Sequence, residues 1–193
     1  MSATPSTMLD LGTRAPDFQL TDALSGREVS LDDYEGAEAL LVVFMCNHCP
    51  YVKHILPEFV DLAREYASRG VEVVAVSSND VSNYPDDRPE KMKELGEELD
   101  FPFPYLYDES QEVARRYRAA CTPDFFLFDS DLELVYRGQF DESRPGNDEP
   151  VDGSDLREAL DLLLEKGETL ERQKPSMGCN IKWKAGNEPD YFA

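Results

Sequence analysis

Apolar and polar positions divide the chain into strands and helices that alternate. The unbroken apolar run at residues 40–45 and the valine-rich segment Val71–Ser77 (VEVVAVS) are typical of buried strands. Between them, apolar side chains recur every three or four positions from Pro50 to Tyr66, and Gly70 follows, so the pattern predicts an amphipathic helix. Two strands joined by a helix in this way form a right-handed parallel crossover.

Weaker patterns flank this central unit on both sides. Ahead of it, residues 18–20 and 29–31 are separated by the turn-prone segment TDALSGRE, which predicts a β-hairpin. After it, the pattern predicts helices at 90–99 and 110–117 with Ser110 as N-cap, an extended link at 103–106, paired strands at 125–128 and 134–137, and a final helix at Ser154–Lys166. The periodicity then fades, so we expect residues 168–193 to form an irregular tail.

The length and composition indicate one domain. A chain of 193 residues, 41% of them hydrophobic, is long enough for one full-sized core, so we expect a single domain over 1–193. Residues 1–8 lack the apolar region of a signal peptide, and no stretch approaches the length that spans a bilayer, so we expect a cytoplasmic protein. Four cysteines in such a chain favour functional thiols over a disulfide framework.

The charge excludes two classes of partner. Forty Asp and Glu against 19 Lys and Arg give a formal net charge of −21, which repels nucleic acid and anionic membranes. The acids are spread over the expected helix faces rather than gathered in one tail, and only 7 of the basic residues are Lys against 12 Arg. This acidic, lysine-poor composition is halophile-like, and an ordinary acidic protein is the alternative interpretation.

The residues that indicate chemistry follow the first buried strand. Cys46-Asn47-His48-Cys49 stands where that strand ends and the helix is expected to begin. Two cysteines at this spacing can form a disulfide, and the N–H groups of a helix N-terminus lower a thiol pKa from about 8.5 to roughly 3.5–7.5. We therefore expect Cys46 to attack and Cys49 to resolve. A protonated His48 would stabilise the thiolate further, and a solvent-facing histidine without a role is the alternative.

Metal binding is the competing interpretation of the cysteine pair. Structural zinc needs two further Cys or His ligands at close spacing, whereas Cys121 and Cys179 each stand alone, so we assign no metal. Paired thiolates also suit Cu(I), but the histidines, His48 and His54, lie in or just after the motif rather than at a distance from it. Cys121 and Cys179 are possible additional redox thiols; the alternatives are a small buried hydrophobe and an idle tail thiol.

The order of elements and two motifs resemble the thioredoxin-like proteins of the AhpC/TSA (redoxin, peroxiredoxin-like) family, over about residues 9–166. The motifs are Cys46-Asn47-His48-Cys49 and Thr122-Pro123, which stands just before the strand at 125–128. The resemblance implies an α/β fold with a central mixed β-sheet flanked by helices and an N-terminal β-hairpin extension. It also implies a cis-proline at Pro123 facing the cysteine pair, with the Thr122 backbone offered to a substrate.

The resemblance leaves two thiol reactions open. Peroxiredoxins carry Pro-x-x-x-Thr-x-x-Cys, in which Cys49 takes the place of the peroxide-attacking cysteine, but Val42 and Cys46 occupy the proline and threonine positions. Four arginines are candidates for the activating arginine: Arg115, Arg116, Arg118 and Arg137. We therefore expect a thiol-disulfide oxidoreductase that uses Cys46 and Cys49. The alternatives are a peroxiredoxin-like, antioxidant peroxide reductase and a copper-binding thioredoxin-like protein.

The expected partners follow from this chemistry. The substrate would be a protein disulfide, a small-molecule disulfide or a peroxide, and a thioredoxin reductase-like protein or a low-molecular-weight thiol would donate electrons. No organic cofactor is expected, because the glycines are scattered and form neither a dinucleotide-binding nor a P-loop signature.

Overall fold

Within residues 3–192, a computed structural model of the protein contains ten strands and four α-helices. The expected domain (1–193) and tail (168–193) include residues 1, 2 and 193, which lie outside the described residues. The strands are β1 (Thr4–Pro5), β2 (Gln19–Asp22), β3 (Glu28–Ser30), β4 (Ala39–Phe44), β5 (Val71–Ser77), β6 (Tyr105–Tyr107), β7 (Cys121–Thr122), β8 (Asp124–Asp129), β9 (Leu134–Tyr136) and β10 (Met177–Asn180). The helices are α1 (Pro50–Ala67), α2 (Pro89–Glu98), α3 (Glu112–Arg116) and α4 (Ser154–Lys166).

Seven strands form the main sheet, in the order β3-β2-β6-β5-β4-β8-β9. β4, β5 and β6 run parallel to one another and the other neighbours are antiparallel, which confirms the expected mixed sheet. The predicted hairpin forms between β2 and β3, and β2 also pairs with β6, so the hairpin is one edge of the main sheet. The segment expected to be an extended link contains strand β6, because β5 and β2 pair with it on both sides.

Side chains of β4 alternate between two hydrophobic clusters, one on each face of the sheet. Leu41 and Val43 join the first cluster, together with apolar residues of α1, α2 and α4. Leu40 and Val42 join the second cluster, together with residues of α3. Since helices cover both faces, every position of β4 is apolar, and the strand reads as an unbroken run in the sequence.

The main helices agree with the periodicity that predicted them. α1 begins at Pro50, ends before Gly70 and buries one side against the first cluster. α4 has the bounds expected from the sequence. No helix among residues 3–192 is both long and apolar enough to cross a membrane.

The third helix differs from its prediction. It is only five residues long, and its N-cap is Gln111 with a left-handed φ of 65° rather than Ser110. The buried Asp108 carboxylate accepts hydrogen bonds from two N–H groups of the first helical turn, at 3.4 and 2.9 Å. The Ser110 Oγ accepts the N–H of Glu112 at 3.2 Å, so the serine and the acid share the N–H donors at the start of this helix.

The C-terminal segment is not the irregular tail that its sequence predicts. Strand β10 lies between β1 and β7 in a second, three-stranded antiparallel sheet. Ile181 follows this strand, is 1% exposed and belongs to the second hydrophobic cluster. The sequence signal is weak because β10 has four residues and each of its partner strands has two.

Candidate functional site

The two cysteines of the motif stand at the junction between β4 and α1. Pro50 opens the helix, where a residue without an N–H group is tolerated because no intrahelical bond is needed. Cys49 is the N-cap, with an extended backbone (φ −66°, ψ 123°). Cys46 lies in the turn between β4 and the helix. Both side chains are buried, with 1% of Cys46 and none of Cys49 exposed.

Cys49 lies between two other thiols. Its Sγ is 2.9 Å from the Sγ of Cys179, and it is close enough to Cys46 for each of these two thiols to shift the pKa of the other. The carbonyl oxygen of Thr122 lies 3.2 Å from the same sulfur. The Cys49 sulfur therefore contacts Cys179 directly, and its acidity is tied to that of Cys46.

These contacts make the three thiols unequal in acidity. The hydrogen bond from Cys46 lowers the pKa of Cys49 to about 4, against the effect of burial, and hydrogen bonds from Cys179, Thr122 and α1 act in the same direction. The hydrogen bond with Cys49, then burial, then the charge of Asp87 raise the pKa of Cys46 well above its ordinary value. Burial and the bond to Cys49 raise the pKa of Cys179 to about 12. The lowered pKa that we expected at Cys46 is thus found at Cys49, although this sulfur also lies within donor distance of the Thr122 carbonyl oxygen and of the Cys179 Sγ, two contacts that a protonated Cys49 could make.

A buried carboxylate holds the turn that carries the motif. Asp87 has no exposed surface, and its Oδ1 accepts the backbone N–H groups of Asn47 and His48 at 2.8 and 3.2 Å. Its Oδ2 accepts hydrogen bonds from His48 Nδ1 at 2.6 Å and from Asn79 Nδ2 at 2.9 Å. Burial alone would raise the pKa of Asp87, but these hydrogen bonds outweigh it and keep the pKa below its ordinary value.

The His48 ring lies between this carboxylate and Cys46. Its Nδ1 is 3.8 Å from the Cys46 Sγ, and the ring stacks on Tyr84 with centroids 5.2 Å apart. The ammonium group of Lys182 lies 5.6 Å from the centroid of the Tyr84 ring. A positive charge thus reaches the neighbourhood of the site from the C-terminal segment.

The Thr122-Pro123 loop faces the cysteines. Its peptide bond is cis, and the Thr122 Oγ1 lies 3.6 Å from the Cys46 Sγ. The Thr122 backbone, however, pairs with β10, and Cys179 stands opposite Thr122 in that pairing. The backbone that we expected a substrate to use is therefore occupied by the chain itself.

Comparison with known families identifies this arrangement. The model of the AhpC/TSA family matches residues 11–137, which include the cysteine motif and the Thr122-Pro123 loop. The chain belongs to the AhpC/TSA family.

Two kinds of thiol enzyme are found among the relatives of this AhpC/TSA protein. The thiol-disulfide oxidoreductase ResA of Geobacillus kaustophilus is 31% identical over 131 residues, which cover 68% of this chain and 70% of the relative. A putative peroxiredoxin of Mycobacterium tuberculosis is 30% identical over 60% of this chain and 68% of its own length. The chain is therefore an oxidoreductase.

Solved structures extend the similarity to the C-terminal segment. An uncharacterized conserved protein from Geobacillus kaustophilus is 56% identical, with a TM-score of 0.93 over 95% of this chain and 97% of that one. A hypothetical protein from Sinorhizobium meliloti is 47% identical, with a TM-score of 0.92 over 95% and 100%. The thioredoxin domain of a Bacteroides vulgatus thiol-disulfide oxidoreductase is 24% identical, with a TM-score of 0.59 over 77% and 97%, and it confirms the thioredoxin-like fold.

One group in this AhpC/TSA protein has the spacing of metal ligands. Cys46, His48 and Asp87 offer ligand atoms that lie within 4.8 Å of one another. Both Asp87 oxygens already accept hydrogen bonds, two each, from the turn and from Asn79. A metal ion here would have to replace the bond between His48 and Asp87, and our assignment of no metal stays a prediction.

The other candidate thiols differ in where they lie. The Cys121 Sγ lies 3.5 Å from the Pro123 carbonyl oxygen and 3.9 Å from the Ser176 carbonyl oxygen. Burial and then the charge of Asp124 raise its pKa well above the ordinary value. Cys179, from the segment that we expected to be irregular, is the thiol that reaches the cysteine motif.

The four candidate arginines bind elsewhere. Arg115 pairs with Glu112, Arg116 donates to the Asp17 carbonyl, Arg118 lies beside Asp190, and Arg137 donates to the Leu9 carbonyl. Asp87 carries no local sequence pattern that marks it as part of the site. Its signal is topological, because the loop after β5 must lie beside the loop after β4 when these strands are parallel neighbours.

Proposed function

We propose that the protein is a thiol-disulfide oxidoreductase whose redox pair is Cys46 and Cys49. The observation that carries this proposal is that both sulfurs face Thr122, whose Oγ1 lies 3.6 Å from the Cys46 Sγ and whose carbonyl oxygen lies 3.2 Å from the Cys49 Sγ. In this arrangement the pKa of Cys49 is lowered and that of Cys46 is raised. The site thus holds one thiolate beside one protonated thiol at neutral pH. This is the combination that disulfide exchange requires, since one group must attack and the other must resolve.

The pKa values give the attacking role to Cys49. Its thiolate attacks one sulfur of the substrate disulfide, the S–S bond breaks, and a mixed disulfide forms while the first substrate thiolate leaves. Cys46 then gives its proton to the second substrate sulfur as it attacks the Cys49 Sγ. The products are two substrate thiols and a Cys46–Cys49 disulfide, so two electrons have passed to the substrate.

Three neighbouring residues hold the cysteine pair in place for this reaction: Thr122, His48 and Asp87. The Thr122 hydroxyl, next to Pro123 and 3.6 Å from the Cys46 Sγ, orients that thiol. The His48 Nδ1, 3.8 Å from the same sulfur, donates to Asp87, which holds the ring beside Cys46. A thioredoxin reductase-like protein or a low-molecular-weight thiol, in the cytoplasm, would reduce the disulfide again.

The test is turnover of a small disulfide with dithiothreitol as reductant. Cys49→Ser should lower kcat/KM by at least about 1,000-fold, since it removes the sulfur that attacks the substrate. Cys46→Ser should lower turnover by less, because another thiol, including dithiothreitol, can still resolve the mixed disulfide on Cys49. Cys121→Ser is the matched control, because Cys121 is equally buried and bonds only to carbonyls, and it should keep wild-type turnover. Equal activity in all three variants would exclude the cysteine pair.

Peroxide reduction is the second candidate, favoured by the position of the lowered pKa. Cys49 takes the place of the peroxide-attacking cysteine of peroxiredoxins, and a putative peroxiredoxin is among the relatives. The Cys49 thiolate would attack one peroxide oxygen, water would leave after protonation, and Cys46 would condense with the sulfenic acid to give a disulfide and a second water. A stopped-flow rate with hydrogen peroxide far above that of an ordinary thiol, lost in Cys49→Ser, would support it. A rate no higher than that of a simple thiol would leave disulfide exchange alone.

A further inference from the structure

Strand β10 brings a third thiol into the site. Cys179 stands opposite Thr122 in the pairing of β10 with β7, and its Sγ lies 2.9 Å from the Cys49 Sγ. Only 3% of Cys179 and none of Cys49 is exposed, so the contact is closed to solvent. Two sulfurs at this separation need a shift of only about 0.9 Å to reach the disulfide bond length.

Close backbone packing fixes β10 in this register. The N–H of Ile181, just after the strand, donates to the Ala120 carbonyl at 3.1 Å. Gly178 packs so tightly that a Cβ at its position would lie 1.9 Å from the Thr122 carbonyl oxygen. Glycine is the residue that permits such an approach, and it places the next residue, Cys179, against Cys49.

We propose that Cys179 is a third catalytic thiol, which forms a disulfide with Cys49 during turnover. The proposal rests on the proposed function, in which Cys49 is the attacking thiolate. Cys49 is the common member of both pairs, because its Sγ lies against that of Cys179 and it follows Cys46 by three residues in the motif. β10 thus occupies the backbone edge where a substrate strand would pair and presents its own cysteine to the start of α1.

The exchange is internal and needs no further oxidant. After substrate reduction the site holds the Cys46–Cys49 disulfide and the Cys179 thiol. Cys179 loses its proton and attacks the Cys49 Sγ, so the Cys49–Cys179 bond forms as the Cys46–Cys49 bond breaks. Cys46 leaves as a thiolate and takes up the proton that Cys179 released. The number of disulfides is unchanged. Cys49 is now bonded to Cys179 in β10 and no longer to Cys46 in the turn.

Disulfide mapping of the full-length protein tests the proposal. The reduced protein is treated with one equivalent of oxidised glutathione, quenched with acid and digested. Cys46→Ser should form the Cys49–Cys179 disulfide, and Cys46→Ala serves if the serine variant does not fold. The wild type and the matched control Cys121→Ser should both give a mixture of Cys46–Cys49 and Cys49–Cys179. A glutathione adduct that persists on Cys49 in both Cys46 variants would overturn the proposal.

The Cys179→Ser variant distinguishes a failure of this proposal from a failure of the proposed function on which it rests. If wild type and Cys179→Ser form only Cys46–Cys49, and the Cys46 variants form no internal disulfide, the oxidoreductase pair stands and the third thiol is excluded. If Cys46→Ser forms Cys49–Cys179 while Cys179→Ser forms no Cys46–Cys49 bond, the third thiol is supported and the proposed pair fails. Turnover of a small disulfide should fall several-fold in Cys179→Ser and stay at the wild-type value in Cys121→Ser.

Discussion

The Asp87 carboxylate organises the cysteine turn without touching either sulfur. It accepts two backbone N–H groups of the turn, the His48 ring and the Asn79 amide while having no exposed surface of its own. Each of these donors would be left without its partner if the carboxylate were removed. The cost of an unpaired buried donor is about 1–3 kcal/mol, so one acid supports both the fold of the turn and the position of His48.

Replacing Asp87 should therefore affect stability and activity together. Asp87→Ala is expected to lower the free energy of unfolding by at least about 3 kcal/mol, measured by urea denaturation. Asp86→Ala is the matched control, because its side chain is exposed, and its effect should stay within about 0.5 kcal/mol. Asp87→Asn keeps one side-chain oxygen that can accept from the backbone donors. Its free energy of unfolding should therefore lie between those of Asp87→Ala and Asp86→Ala. Equal stability of the alanine variants would show that Asp87 does not hold the turn.

Asp124 gives a second prediction at the residue scale, with the opposite pKa shift. Burial raises its pKa from the ordinary 3.8 to about 7, although the Ala120 N–H donates to its Oδ2. Between these values the unfolded chain is ionised at this position while the folded chain stays protonated, so the folded state binds more protons. Stability from this group is thus fully present below pH 3.8 and is lost as the pH rises through 7, by up to about 4 kcal/mol.

Asp124→Asn should remove this pH dependence, because an amide does not ionise. The free energy of unfolding of the variant minus that of the wild type should increase by up to about 4 kcal/mol between pH 4 and pH 8. If the substitution also alters packing, that change in the free energy of unfolding is the same at pH 4 and pH 8, so it cancels when the two pH values are compared. Urea denaturation at several pH values measures it, and two parallel stability curves would show that Asp124 has the same pKa in the folded and unfolded chains.

At the scale of elements, the C-terminal strand depends on one close contact. The Gly178→Ala Cβ would meet the Thr122 carbonyl, so β10 must move away from β7 and carry Cys179 with it. We expect Gly178→Ala to lower stability by about 1–3 kcal/mol and to speed the labelling of the site thiols by a thiol reagent under native conditions. Thr169→Ala is the control, an exposed change in the same C-terminal region outside β10. Labelling of Gly178→Ala at the wild-type rate would show that β10 does not cover the site.

The same strand marks the limit of what the sequence predicts. β4, α1, β5 and α4 were predicted because each is long and buries a periodic or continuous apolar face. β10 was missed because four residues, Met177–Asn180, carry no such period, and their pairing with β1 and β7 depends on residues more than 50 positions away. The cysteine motif was visible as a local pattern. The acidity of its thiols was not, since Cys179 and Asp87 reach the motif only through the fold.

At the scale of the whole molecule, charge is the dominant feature. Asp and Glu outnumber Lys and Arg by 21. The ion pairs that form are mostly exposed, such as Lys91 with Glu94 and Arg64 with Asp61, and pairs of this kind contribute little stability. Repulsion among the remaining carboxylates therefore opposes folding at low ionic strength.

Salt should relieve this repulsion. The screening length falls from about 10 Å at 0.1 M to about 3 Å at 1 M salt, so the melting temperature is expected to rise with KCl over this range. Each 1 kcal/mol gained corresponds to about 2–4 °C in a domain of this size. The rise should shrink near pH 4, where the carboxylates become protonated and the repulsion is already lost. A melting temperature that does not change with KCl at pH 7, or one that rises equally at both pH values, would show that salt does not stabilise the protein by screening its carboxylates. The acidic composition would then not be an adaptation to salt.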